Sequence, residues 1–123
     1  NPTFMNLTNA LAGIAVNDID AAVVWYERLI GRPPDIRPLD HVAAWQFRAG
    51  GWIEVFRDDS RAGKSTVIFA VVSLETQLVA LSKMGIPVSH VTPSADVGEV
   101  AIIEDPDGNQ VVFAGPLTGV MDD

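Results

Sequence analysis

The stretch EDPDGNQVVF, residues 104–113 of a chain of 123, decides how the rest is read. Pro106 sets φ for the second position of a type I turn and Gly108 accepts a positive φ after it, so Asp105-Pro106-Asp107-Gly108 reverses the chain. A strand must come next in QVVF, and GEVAIIE ahead of the turn supplies its partner. Residues 98–115 therefore read as a hairpin.

Working outward, a second hairpin lies earlier, in VAAWQFRAGGWIEVF at 42–56, with Ala49-Gly50-Gly51 as its turn. Each hairpin is preceded by a strand and a helix. NALAGIAV, at 9–16, is a small-residue apolar run of strand length, and Asp18 is placed to cap a helix. From Ile19, apolar residues recur at Ala22, Val23, Trp25, Tyr26, Leu29 and Ile30, near the 3.6-residue period, until Gly31 and Pro33-Pro34 stop the helix. STVIFAVV, at 65–72, is the matching strand; Ser73 caps LETQLVALSKM, Gly85 ends it, and PVSHV is a short strand. The order occurs twice, at about 9–57 and 64–115, which indicates two βαβββ units in one α+β domain spanning 9–115. Polar RDDSRAGKS, at 57–65, suits a linker, and 1–8 and 116–123 read as tails.

Composition narrows the function classes. Hydrophobic residues at 48% and charged ones at 20% are globular proportions, and no apolar run approaches the roughly 20 residues that span a bilayer. With no cysteine, disulfides, thiolate metal sites and a cysteine nucleophile are excluded. Sixteen acidic residues against eight basic ones give a net charge of -8, which repels phosphate backbones and argues against nucleic acid as a partner. The first residues carry no basic-then-apolar signal pattern, so the expected location is cytoplasmic.

Alternation assigns faces in each sheet. In WIEVF, Ile53 and Val55 turn toward the helix, leaving Trp52, Glu54 and Phe56 on the other, inner face. In QVVF, Val111 and Phe113 take the helix side and Val112 the inner side. Glu54 and Val112 are thus corresponding positions of the two units.

With these elements in place, the chain resembles the vicinal oxygen chelate superfamily, which includes glyoxalase I, extradiol dioxygenases and bleomycin resistance proteins. The resemblance covers nearly all of 9–115 and rests on VNDIDAAVVWYERLIG at 16–31, on GGWIEVF and on EDPDGNQVVFAG. It implies a half-open barrel of two βαβββ units around a cavity, and pairing as a homodimer. It also implies that a divalent metal, where one is bound, is held at four inner-face positions, which fall here at Leu11, Glu54, Val67 and Val112. Three of these are aliphatic and have no lone pair to give, and one carboxylate is too few donors for a hard cation. The expectation is a protein without metal or other cofactor whose apolar cavity takes a small organic molecule, cationic or aromatic, and sequesters it. The competing expectation is a lyase, isomerase or dioxygenase of the same superfamily using Glu54 as base or a metal site in another register.

Glu54 is the polar position on an apolar inner face and reads as a ligand-binding carboxylate or general base; the plain alternative is a carboxylate at a cavity mouth or paired with an arginine. Trp52 and Phe56 share its face, while Trp45 and Phe47 share a face with each other. Such rings suit an aromatic or cationic ligand, and equally a core or dimer interface. Trp45, Trp52, Phe56 and Val112 join Glu54 as expected ligand contacts. His41 and His90, the two histidines, read as strand-edge residues. Trp25 and Tyr26 read as core.

Overall fold

Asp18 and Ser73 start the two helices. The Asp18 carboxylate accepts from the Ala21 amide at 3.1 Å and opens α1 (Ile19–Ile30); the Ser73 hydroxyl accepts from the Thr76 amide at 3.2 Å and opens α2 (Leu74–Met84). Both helices end on a left-handed glycine, Gly31 and Gly85. The computed structural model describes residues 6–94 and 98–115, with only the backbone at 90, 92–94 and 98.

Around α1 run β1 (Leu11–Val16), β2 (Ile36–Leu39), β3 (Val42–Gln46) and β4 (Trp52–Arg57); around α2 run β5 (Thr66–Ala70), β6 (His90–Ser94), β7 (Gly98–Glu104) and β8 (Gln110–Gly115). The sheets have the same order, β1-β4-β3-β2 and β5-β8-β7-β6, with one parallel pair each, β1 with β4 and β5 with β8. The doubled βαβββ plan is therefore the architecture. The first hairpin closes where expected, the Phe47 amide donating to the Gly51 carbonyl at 2.8 Å and Gly50 sitting at φ 104°.

Two elements differ from the sequence reading. β2 had no counterpart in it: IRPL shows no alternation and carries a proline, which a strand tolerates only at a sheet edge, and β2 is an edge. β6 is His90–Ser94, three residues later than PVSHV begins.

Helix α1 buries Ala22, Tyr26 and Leu29 and α2 buries Leu74 and Leu81, all facing the sheets. They meet Ile14, Val16, Trp45, Ile53 and Val55 of the first unit and Val67, Ala101, Ile103, Val111 and Phe113 of the second, in one continuous core. Each fully buried aliphatic or aromatic side chain there is worth about 1.5–3 kcal/mol. Because both helices lie on this shared core, the faces turned away from them lie on the same side of the molecule.

The two units are fastened by the Asp105-Pro106-Asp107-Gly108 turn. Asp105 and Asn109 are buried polar residues, 5% and 1% exposed. The Asp105 carboxylate accepts from the Tyr26 hydroxyl at 2.8 Å, from the Asn109 side-chain amide at 2.8 Å, and from the backbone amides of Asp107 and Asn109 at 2.9 Å each. Asn109 also donates to the Ala15 carbonyl and accepts from the Ser65 amide, both at 2.8 Å, and the Ser65 hydroxyl accepts from the Ala15 amide at 3.1 Å. Asp107 accepts from the Asn17 side chain at 2.8 Å. Strand β1 and helix α1 are thus tied to the end of the second unit, with every buried side-chain nitrogen and oxygen of the described residues hydrogen-bonded. Burial, then the Asp105 charge and hydrogen bond, hold the Tyr26 phenol far above its ordinary range. The linker passes beneath this turn at Gly63, where φ is +83° and an added Cβ would lie 2.5 Å from the Asp107 carbonyl oxygen.

Candidate functional site

The pairing of β1 with β4 fixes the inner face of the first sheet. Leu11 stands beside Trp52, Gly13 beside Glu54 and Ala15 beside Phe56, while Ala44 flanks Glu54 from β3. Trp52, Glu54 and Phe56 are half-buried on this face, and Ile53 and Val55 lie in the core behind it. Gly13 makes room for the Phe56 ring: a Cβ there would sit 3.1 Å from Phe56 Cε1. The Arg61 guanidinium covers the same ring, 5.5 Å from its centroid. Glu54 has no hydrogen-bond or ion-pair partner among the described residues, where the ion pairs are Arg32–Asp35, Arg57–Asp59 and Arg61–Asp58.

In the second sheet the register corrects one expected position. Val67 pairs with Val111, not Val112, and is buried in the core at 4% exposure. Ile68 is the residue beside Val112, and it is 63% exposed on the inner face. STVIFAVV is apolar at nearly every position, so alternation gave no purchase on its register; only the pairing with β8 does. Leu11 keeps its inner place and is 56% exposed.

The corrected set is Leu11, Glu54, Ile68 and Val112, and it does not fit a divalent metal, since Glu54 brings its only donor oxygens. Among the described residues no three His, Cys, Asp or Glu side chains gather at metal-binding range.

Of the other expected contacts, Val112 is on the inner face, 9% exposed. Trp45 is not: it lies with Ile53 on the helix side, fully buried, its ring tilted against Tyr26 and its indole N–H donating to the Arg32 carbonyl at 2.9 Å. It packs the core. His41 is exposed at the start of β3, and the His90 side chain lies outside the described residues. Gly13 and Ile68, which shape the inner face, escaped sequence reasoning because neither has a reactive group and each is recognisable only from its cross-strand partner.

Two cavities lie away from Glu54. One, of about 470 Å³, follows the end of α1 past Glu27, Arg28 and Arg32; the other, of about 170 Å³, lies between α1 and the second sheet. No helix of the described residues is long and apolar enough to cross a membrane.

This arrangement, two βαβββ units side by side with an open inner face, is shared with many solved structures. A glyoxalase/bleomycin resistance protein from Catenulispora acidiphila is 30% identical, with a TM-score of 0.77 over 88% of this chain and 98% of that one. TnmS3, an antibiotic binding protein from Streptomyces sp. CB03234, is 17% identical, with a TM-score of 0.78 over 92% and 99%. Lactoylglutathione lyase from Agrobacterium tumefaciens is 15% identical, with a TM-score of 0.75 over 93% and 95%. The chain belongs to the glyoxalase/bleomycin resistance family of the vicinal oxygen chelate superfamily. No family model matches the sequence, and no curated protein sequence matches it.

Proposed function

We propose that this protein binds a small organic molecule on its inner face without a metal, using Glu54 as the polar anchor between Trp52 and Phe56. The observation that carries the reading is a half-buried carboxylate with no partner among the described residues, set between two aromatic rings where the remaining family ligand positions are aliphatic. A carboxylate in that setting favours a cationic group, and the rings favour a flat one. Sequestration of a cationic aromatic compound is the matching role, in a protein whose charge of -8 attracts cations over a distance. The inner face also exposes Leu11, Ile36, Leu39 and Ile68, each at 50% or more. A second copy of the chain covering these residues completes the cavity, so the working unit is a homodimer. Glu54 acting as a general base in a lyase or isomerase is the second reading, favoured by the same free carboxylate.

Thermal unfolding with bleomycin and a panel of cationic aromatic dyes, wild type beside Glu54→Gln, tests the proposal. A compound at one hundred times its dissociation constant adds about 2.7 kcal/mol, a shift of several degrees at this size. Binding that is lost in Glu54→Gln supports the anchor. No shift with any compound, or shifts unchanged in both Glu54→Gln and Trp52→Ala, overturns it.

A further inference from the structure

The cavity of about 170 Å³ lies on the helix side of the sheets, where the two units meet, so it is distinct from the inner face. Its floor is aromatic. Phe69 of β5 meets Phe47 edge-on at 5.5 Å between centroids and stacks on Phe113 at 5.8 Å. Leu29 and Ile30 at the end of α1 form one wall, and Gln77 of α2 forms the other.

Gln77 is the informative residue. On α2 the sheet-facing positions are Leu74, Leu78 and Leu81, and Gln77 falls among them by the three- and four-residue spacing of a helix. An apolar side chain there would continue the buried stripe of the helix. A half-buried amide stands there instead, without a side-chain hydrogen bond among the described residues, above the half-buried rings of Phe47 and Phe69. The cleft is partly open to solvent, and its volume is comparable to that of a cavity of about 150 Å³, lined by aliphatic and aromatic side chains, that takes up benzene.

From these observations we infer that the cleft between α1, β5 and α2 is a second binding site, for a neutral single-ring aromatic molecule carrying one hydroxyl or carboxamide group. The ring lies against Phe69 and Phe47, and the substituent pairs with the Gln77 amide, which both donates and accepts. A molecule in this cleft touches α1 of the first unit and β5, β8 and α2 of the second at once, so it strengthens the seam between them. The site stands independently of the inner-face reading.

Phenol is the probe. Titrated into isotope-labelled protein and followed by NMR, it should give saturable shifts at Leu29, Ile30, Phe69 and Val71. Gln77→Leu, which removes the amide and keeps the helix, should weaken binding about tenfold through the lost hydrogen bond; Gln77→Asn, which keeps an amide, should weaken it less. Glu54→Ala should bind phenol as wild type does. Shifts confined to Trp52, Glu54 and Phe56, no saturable shift, or equal binding by Gln77→Leu would each overturn the inference. Loss of inner-face binding leaves it intact.

Discussion

The hydroxyl of Tyr26, on the first helix, donates to the carboxylate of Asp105 across 2.8 Å and 79 residues of sequence. Removing the donor leaves a buried carboxylate short of a partner. Tyr26→Phe should therefore destabilise the protein by about 1.5–3 kcal/mol, the range for a hydrogen bond to a charged group. Urea denaturation checks it: the midpoint should fall at unchanged slope, and a loss below about 0.5 kcal/mol would mean that this bond adds little.

The same pair sets an alkaline limit. The folded-state pKa of Tyr26 is raised, chiefly by burial, so the folded protein holds its phenolic proton more tightly than the unfolded chain, whose tyrosine titrates near 10.0. The resulting stability is fully present below that value and is lost as pH rises above it. Because Tyr26 is the single tyrosine, tyrosinate absorbance should appear only together with loss of fluorescence-detected structure. A smooth titration near the ordinary value in protein that stays folded would contradict the burial.

Two glycines should respond differently to alanine. At Gly63 the backbone is left-handed and the new Cβ meets a carbonyl oxygen of the turn, so Gly63→Ala should cost about 1–3 kcal/mol. At Gly13 the obstacle is the edge of the half-buried Phe56 ring, which can give way. Gly13→Ala should cost less than about 1 kcal/mol while altering ligand binding beside Glu54. Equal losses in thermal unfolding would show that the linker does not rest on the turn as described.

Glu54, without a partner among the described residues, should contribute little to folding, and Glu54→Gln should change stability by no more than about 0.5 kcal/mol. Chelator-treated protein should show no specific rise in melting temperature with Zn²⁺, Ni²⁺, Mn²⁺, Fe²⁺ or Co²⁺. A tight metal at one hundred times its dissociation constant would add about 2.7 kcal/mol. Such a rise, removed by Glu54→Ala, would place the donors in another register.

Much of this fold was legible because its punctuation is strong. Asp18, Gly31, Ser73 and Gly85 cap their helices as their residue types suggest, and the two hairpins close on the glycines that offered to turn them. The face of β4 was legible because Trp52 to Phe56 alternates in character. What escaped was whatever depends on a distant neighbour. Val67 was placed on the wrong face because its strand is apolar throughout, and Trp45 was paired with the ligand wall although its indole is committed to the Arg32 carbonyl. The turn itself was read for its geometry alone. That Asp105 and Asn109 also grip Tyr26, Ala15 and Ser65 is a matter of tertiary placement, which no local pattern encodes.

That grip has a consequence for the order in which the molecule is made. Asn109 reaches back 94 positions to Ala15, and Asp105 reaches Tyr26 from nearly as far. On the ribosome the first helix and its four strands are synthesised before these residues are added, and contacts of such sequence separation close late because loop entropy must first be overcome. Until residues 105 and 109 are added, the Tyr26 hydroxyl and the Ala15 carbonyl lack these partners. The first unit therefore passes through synthesis without these bonds, and the turn of the last hairpin acts as its lock.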